Sequence, residues 1–128
     1  MKSVIFFIIL AFSIPAFSSD ADVLAKIAGT FEGNLFSGSD MDPVITSFTI
    51  NESGEITGKY AMGEEEGLEV GTLNNIQVDS EFSVTMTWKD KYGKGTLRIL
   101  FSEDYRIFRG FWGDSKNPVI WPWDGIRK

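Results

Sequence analysis

From residue 29 onward, short apolar and β-branched runs alternate with turn-forming clusters at nearly even spacing. The clearest run has apolar side chains at every second position: Phe82, Val84, Met86 and Trp88. The positions between them are Ser or Thr. A period of two places successive side chains on opposite faces of a strand. The pattern therefore predicts β-strands with one buried and one solvated face.

Eight runs of this kind follow one another along the chain. They span residues 29–36, 44–51, 55–62, 68–78, 81–89, 94–102, 105–112 and 119–126. Several of the connections between them, such as 52–54 and 79–80, are of hairpin length, and Gly54 and Gly93 stand where a turn needs a positive φ. Short connections pair each strand with its predecessor, so the sequence predicts an all-β antiparallel meander.

A meander of eight half-buried strands removes its two exposed edges by closing on itself. An eight-stranded up-and-down barrel is therefore the expected fold, and a β-sandwich stays open as the alternative because both share this strand pattern. The outer faces carry Thr, Lys, Glu and Arg, which argues against a barrel embedded in an outer membrane. A short helical turn over residues 23–28 is expected before the first strand.

The first 18 residues have the composition of an export signal. Lys2 precedes an apolar stretch over residues 4–12, and Ala16-Phe17-Ser18 supplies the small residues of a cleavage site. The stretch is shorter than the about 18 apolar residues that a membrane-spanning helix needs. We expect residues 1–18 to be a signal peptide, residues 19–128 to form a single barrel domain, and the protein to be periplasmic or extracellular.

Charge and composition exclude several functions. The chain has 12 basic and 18 acidic residues, a formal net charge of −6, and neither His nor Cys. Without imidazole or thiol, Ser-His-Asp and Cys-His catalysis, His- or Cys-ligated metals and disulfides are excluded. The acidic excess disfavours nucleic acid and anionic membrane surfaces as partners. Small neutral or cationic molecules and basic proteins remain possible partners, and no cofactor is expected.

Three segments then occur in order on the predicted strands. They are Gly-Thr-Phe at 29–31, Gly-Glu-Ile-Thr-Gly-Lys-Tyr at 54–60 and Thr-Met-Thr-Trp-Lys at 85–89. In this order they resemble the calycin barrels, the lipocalin and avidin group. In that group the first strand carries Gly-x-Trp, an avidin strand carries Gly-x-x-Thr-Gly-x-Tyr, and a later strand brings an indole into the pocket. The resemblance covers strands one to five and implies a ligand-binding barrel.

The resemblance also implies positions for a ligand. Ser37 and Tyr60 correspond to avidin residues that hydrogen-bond the ureido oxygen of biotin, and Trp88 to one that walls the ring. Gly33 stands where avidins have an Asn donor and Met62 where they have a hydroxyl. A site that lacks most of its polar partners loses the groups that orient its ligand. We therefore expect the fold of this group without its affinity for biotin.

Aromatic residues are the strongest sign of a binding site. The chain has four Trp and three Tyr. Tyr60, Trp88 and Trp112, with one of Trp121 or Trp123, are expected to line a cavity and to stack on a flat ligand. The alternative is that these rings only fill a small barrel and close its ends.

The sequence predicts different positions for two arginines, Arg109 and Arg127. Alternation groups Arg109 with Ile107 and Phe111, so its guanidinium either emerges at the rim, where it could reach a ligand carboxylate, or pairs with a surface acid. Arg127, on the last strand, is expected to cover the ring of Phe31, as basic residues do in calycins. The strand around residues 108–112 is apolar on both faces, which makes a homo-oligomer possible.

A small exported non-enzymatic barrel that binds a hydrophobic or aromatic molecule is therefore the leading functional hypothesis. The alternative is a protein-interaction module, for instance an inhibitor of a basic hydrolase. Its surface would be formed by the acidic run Glu64, Glu65 and Glu66 and by Trp121 and Trp123. The acidic clusters lack the spacing of a cation-binding loop, so no metal is expected. An enzyme is the least favoured class, because proton transfer would depend on carboxylates, Lys or Tyr alone.

Overall fold

The computed structural model describes residues 19–63 and 69–128, which form one short helix and eight strands. The elements are α1 Asp20–Ile27, β1 Gly29–Phe36, β2 Met41–Ile50, β3 Ile56–Met62, β4 Glu69–Ser80, β5 Ser83–Asp90, β6 Gly93–Phe101, β7 Ile107–Asp114 and β8 Trp121–Arg127. The strands follow one another in chain order around a closed antiparallel barrel.

Closure is made by the pairing of β1 with β8, in which Phe31 lies opposite Arg127 and Leu35 opposite Trp123. The predicted eight-stranded meander barrel is therefore confirmed, and the β-sandwich alternative is excluded because the strands form one continuous sheet. Closure leaves no unpaired edge on either terminal strand.

Strand boundaries differ from the predicted ones by a few residues. β7 begins at Ile107 because Tyr105 adopts a positive φ of 59° in the preceding turn. β4 continues to Ser80 and contains a bulge near Asn75, whose φ is 55°. A bulge adds an unpaired residue and bends its strand, and single-strand periodicity does not reveal it.

The predicted alternation is confirmed on β5 and β6. The buried side chains of β5 are Val84, Met86 and Trp88, and those of β6 include Leu97 and Ile99. These inward side chains meet in one core that runs the length of the barrel. The outward positions between them are exposed or half-buried.

One end of the barrel is filled, and we call it the helix end. The Ser19 side chain caps α1 by accepting a hydrogen bond from the Asp22 backbone nitrogen. Helix residues Val23 and Ile27 are buried in the barrel core. The predicted helical turn is thus present, and it extends the core beyond the ends of the strands.

At the helix end the Phe31 ring packs edge to face with Phe108 and at a tilt against Phe101. The ring centroid of Phe31 lies 5.2 Å from that of Phe108 and 5.9 Å from that of Phe101. The guanidinium of Arg127 lies 4.6 Å from the centre of the Phe31 ring, as the sequence predicted. Arg127 also donates hydrogen bonds to the carbonyls of Lys26, Ala28 and Tyr105. This arginine therefore ties the last strand to the end of the helix.

Two of the sequence predictions concern residues outside the described ones: the export signal at 1–18 and the acidic run Glu64, Glu65 and Glu66. Within residues 19–63 and 69–128, no helix is long and apolar enough to cross a membrane.

Candidate functional site

The opposite end of the barrel holds a cavity of about 350 Å³, and we call this the cavity end. The residues that line it come from six strands and their connections. They are Leu35, Ser37, Asp42, Tyr60, Met62, Gly63, Trp88, Asp90, Tyr92, Trp112 and Trp123. Leu35, Tyr60, Trp88 and Trp123 are buried, whereas Ser37 and Tyr92 are exposed. The cavity therefore runs from a buried floor to an exposed rim.

Tyr60 projects from β3 into the floor. A Cβ on Gly71, its partner on β4, would collide with the Tyr60 ring, so only glycine leaves room for it there. The Tyr60 hydroxyl donates a 2.6 Å hydrogen bond to Oδ2 of Asp90. Burial, with the hydrogen bond to Asp90 and its charge, raises the pKa of Tyr60 far above its ordinary value. The phenol therefore stays protonated and remains a hydrogen-bond donor.

The three indoles of the cavity are anchored by their ring nitrogens. Trp88 Nε1 donates to the carbonyl of Gly113 at 3.0 Å. Trp112 Nε1 donates to the carbonyl of Phe36 at 2.9 Å, and Trp123 Nε1 donates to Oγ1 of Thr46 at 3.0 Å. A buried indole usually finds such a partner, and the bond fixes the plane of the ring.

The anchored rings form two edge-to-face pairs. The Trp88 and Trp112 centroids lie 5.4 Å apart with an interplanar angle of 84°. The Tyr60 and Trp123 centroids lie 4.8 Å apart at 71°. The edge-to-face contact within each pair, together with the hydrogen bonds of the indoles, sets the orientation of the rings around the cavity. The cavity wall is therefore preformed.

The rim is polar and acidic. Ser37 donates its hydroxyl to the carbonyl of Asp40 at 3.1 Å, which leaves that hydroxyl bound within its own turn. Asp90 Oδ1 accepts the backbone N–H of Tyr92 at 2.8 Å and so orders the β5–β6 turn. Asp42, on β2, adds a second carboxylate to the lining. The Nζ of Lys91 lies 5.3 Å from the centre of the Tyr92 ring.

The predicted ligand-binding residues divide between the cavity and the outer surface. Ser37, Tyr60, Trp88 and Trp112 all line the cavity. Arg109 does not, because its side chain is exposed on the outer face of β7, where Asp124 of β8 is its pairing partner. Of the two roles predicted for Arg109, recognition of a ligand at the rim does not fit this cavity, because Arg109 lies outside its lining.

The predicted interaction surface differs from the structure more than the predicted ligand-binding set does. Trp123 is only 2 % exposed and belongs to the cavity floor, so it does not contribute to an outer aromatic patch. Trp121 is half-buried and stacks on Phe36 at a centroid distance of 5.0 Å. Of the two tryptophans predicted for this surface, Trp123 lines the cavity and Trp121 does not.

Two acidic residues of the cavity lining, Asp42 and Asp90, were not among the predicted ligand-binding residues. Both follow the period of two from buried neighbours, Val44 in one case and Trp88 in the other. A carboxylate at an inward position near a strand end could have indicated the cavity mouth from the sequence. A charged group is tolerated at such a position only where the barrel opens to water or supplies a partner.

No match was found when the chain was compared with protein-family models, with curated proteins and with solved structures. The closed eight-stranded antiparallel barrel is compatible with a calycin-like fold. Within residues 19–63 and 69–128, no three acidic side chains are grouped so that they could hold a metal ion.

Proposed function

We propose that this chain is an exported, non-enzymatic barrel of the calycin type that binds a hydrophobic or aromatic small molecule at its cavity end. The observation that supports this proposal is the preformed cavity of about 350 Å³ walled by Tyr60, Trp88, Trp112 and Trp123. Small-molecule sites are typically concave, mostly apolar and largely preformed, with a few polar groups at fixed positions.

A binding role fits the cavity better than catalysis. General acid–base catalysis works best with groups whose pKa lies near the working pH. The pKa of Tyr60, the buried phenol of the cavity, is instead raised further above neutrality. The phenol keeps its proton and donates it in a hydrogen bond to Asp90. The aromatic floor offers stacking area rather than a nucleophile.

The interaction-module alternative stays a prediction. It depends on Glu64, Glu65 and Glu66, which lie outside the described residues, and on an aromatic surface that retains only Trp121. We therefore place the function in the interior of the barrel.

The first test is native mass spectrometry of the exported protein, compared with its denatured mass. We expect a polypeptide that begins at Ser19 and carries a small additional mass that is lost on denaturation. A chain that retains residues 1–18 would contradict the proposed export signal.

The second test uses the neutral fluorophore N-phenyl-1-naphthylamine. We expect saturable binding, weakened by Trp112→Leu and unchanged by Trp121→Leu. The two tryptophans lie opposite each other on β7 and β8, but only Trp112 lines the cavity. Absence of a bound mass together with no saturable binding of the fluorophore would overturn the proposal, as would equal effects of the two substitutions.

A further inference from the structure

The hydrogen-bond donors of the cavity are already used within the protein. The indole nitrogens of Trp88, Trp112 and Trp123 each donate to a protein acceptor. The hydroxyls of Tyr60 and Ser37 do the same. Among the lining side chains, the remaining hydroxyl is that of Tyr92, whose residue is 69 % exposed at the rim. The cavity therefore has little to offer an anionic or acceptor-rich ligand.

What the cavity does offer is negative potential. The faces of aromatic rings carry the negative part of their quadrupole and attract cations, with indole the strongest. Three indoles and two phenol rings line the cavity, and the carboxylates of Asp42 and Asp90 lie at the same end. Among the residues that the structure describes, no Lys or Arg lines the cavity.

The rim shows this attraction within the protein itself. The ammonium of Lys91 lies 5.3 Å from the centre of the Tyr92 ring, a distance at which a cation and a ring face attract. The formal charge of the whole chain, −6, would also draw cations toward it.

We propose that the ligand is an organic cation, a primary or quaternary ammonium joined to an aromatic or apolar body. The body fills the space between the indoles, and the ammonium lies at the rim against Asp42 and Asp90. This inference rests on the proposed function, since it names the class of ligand that the same cavity takes.

The experiment compares four molecules that share one phenylpropyl body and differ in charge. They are 3-phenylpropylamine, trimethyl(3-phenylpropyl)ammonium, 3-phenyl-1-propanol and 3-phenylpropionate. Affinity is measured at neutral pH by calorimetry and by tryptophan fluorescence. We expect one or both cations to bind at least about tenfold more tightly than the alcohol, and the carboxylate to bind most weakly.

Variants locate the charge recognition. Asp90→Asn and Asp42→Asn are each expected to weaken the better cation about three- to tenfold and to leave the alcohol unchanged. Asp124→Asn is the matched control, because this exposed carboxylate lies on β8 outside the cavity lining. Asp42→Asn keeps the test valid if Asp90→Asn disturbs the β5–β6 turn that Asp90 orders.

The outcomes separate the two proposals. If the alcohol or the carboxylate binds as tightly as both cations, the cation inference is overturned and the proposed binding function stands. The same holds if neither Asp42→Asn nor Asp90→Asn affects cations more than Asp124→Asn does. If none of the four molecules binds at millimolar concentration and N-phenyl-1-naphthylamine does, the cation inference alone fails. If that fluorophore also fails to bind and the exported protein carries no additional mass, both proposals fail.

Discussion

The two ends of the barrel use aromatic side chains in different ways. At the helix end the rings of Phe31, Phe101 and Phe108 pack against one another, and Arg127 lies on the Phe31 ring. At the cavity end the rings also pack in edge-to-face pairs, but each indole is in addition anchored by a hydrogen bond from its ring nitrogen to a backbone or side-chain oxygen. A ring without a polar atom gains only from packing, whereas an indole that is anchored by its nitrogen can leave space beside its face. We therefore expect stability to be concentrated at the helix end and the proposed binding to take place at the cavity end.

The sharpest test of this division is the pair Phe31→Ala and Trp112→Ala. Phe31 is fully buried and contacts three other rings, so its truncation should lower the free energy of unfolding by about 3–5 kcal/mol. Trp112 is half-buried beside a cavity, and we expect a smaller loss of about 1–2 kcal/mol. Urea denaturation measures both, and equal losses would contradict the division.

A second substitution should damage the cavity end through packing. Gly71→Ala places a methyl group where the Tyr60 ring lies, and overpacking of this kind costs about 1–3 kcal/mol. We expect displacement of Tyr60 and loss of fluorophore binding. Thr72→Ala, at the neighbouring exposed position, is the control. Unchanged binding in Gly71→Ala would show that the position of Tyr60 does not shape the cavity.

The third substitution acts on the helix end alone. Arg127→Met removes the cation above Phe31 and three hydrogen bonds to carbonyls around α1, for an expected loss of about 1–2 kcal/mol. Amide hydrogen exchange should accelerate in α1, while binding at the cavity end stays the same. Arg106→Met removes an exposed charge nearby and should change neither. Faster exchange confined to the cavity end would refute this assignment.

The smallest expected effect concerns pH. The raised pKa of Tyr60 means that the unfolded chain ionises this phenol near its ordinary value of 10.0 while the folded chain keeps it protonated. Stability is therefore unaffected below that pH and falls as the pH rises above it. Tyr60→Phe should cost about 1 kcal/mol at neutral pH and should lessen the alkaline decline. Urea denaturation at pH 7 and pH 11 measures the loss at neutral pH and the decline at alkaline pH. An equal alkaline decline in the wild type and Tyr60→Phe would contradict this account of the Tyr60 pKa.

The barrel was largely predictable because strand periodicity and short connections are local properties. Alternation along β5 placed Trp88 inside, and the calycin resemblance placed Arg127 over Phe31. The site was predictable only in part. The position of Trp123 depends on its partner Thr46, 77 residues away, and the acidic rim depends on Asp42 of β2 and Asp90 of β5 lining the same cavity. Such long-range juxtapositions follow from register, which a single sequence does not specify.

The pairing of β1 with β8 has a consequence for how the chain folds. Arg127 donates to the carbonyl of Ala28 across 99 positions of sequence, so the barrel closes only after its last strand is available. Contacts between distant residues slow folding and leave unpaired strand edges exposed in the meantime. We therefore expect a slow final folding step, on the scale of milliseconds to seconds, in which the first and last strands dock and the helix end is sealed.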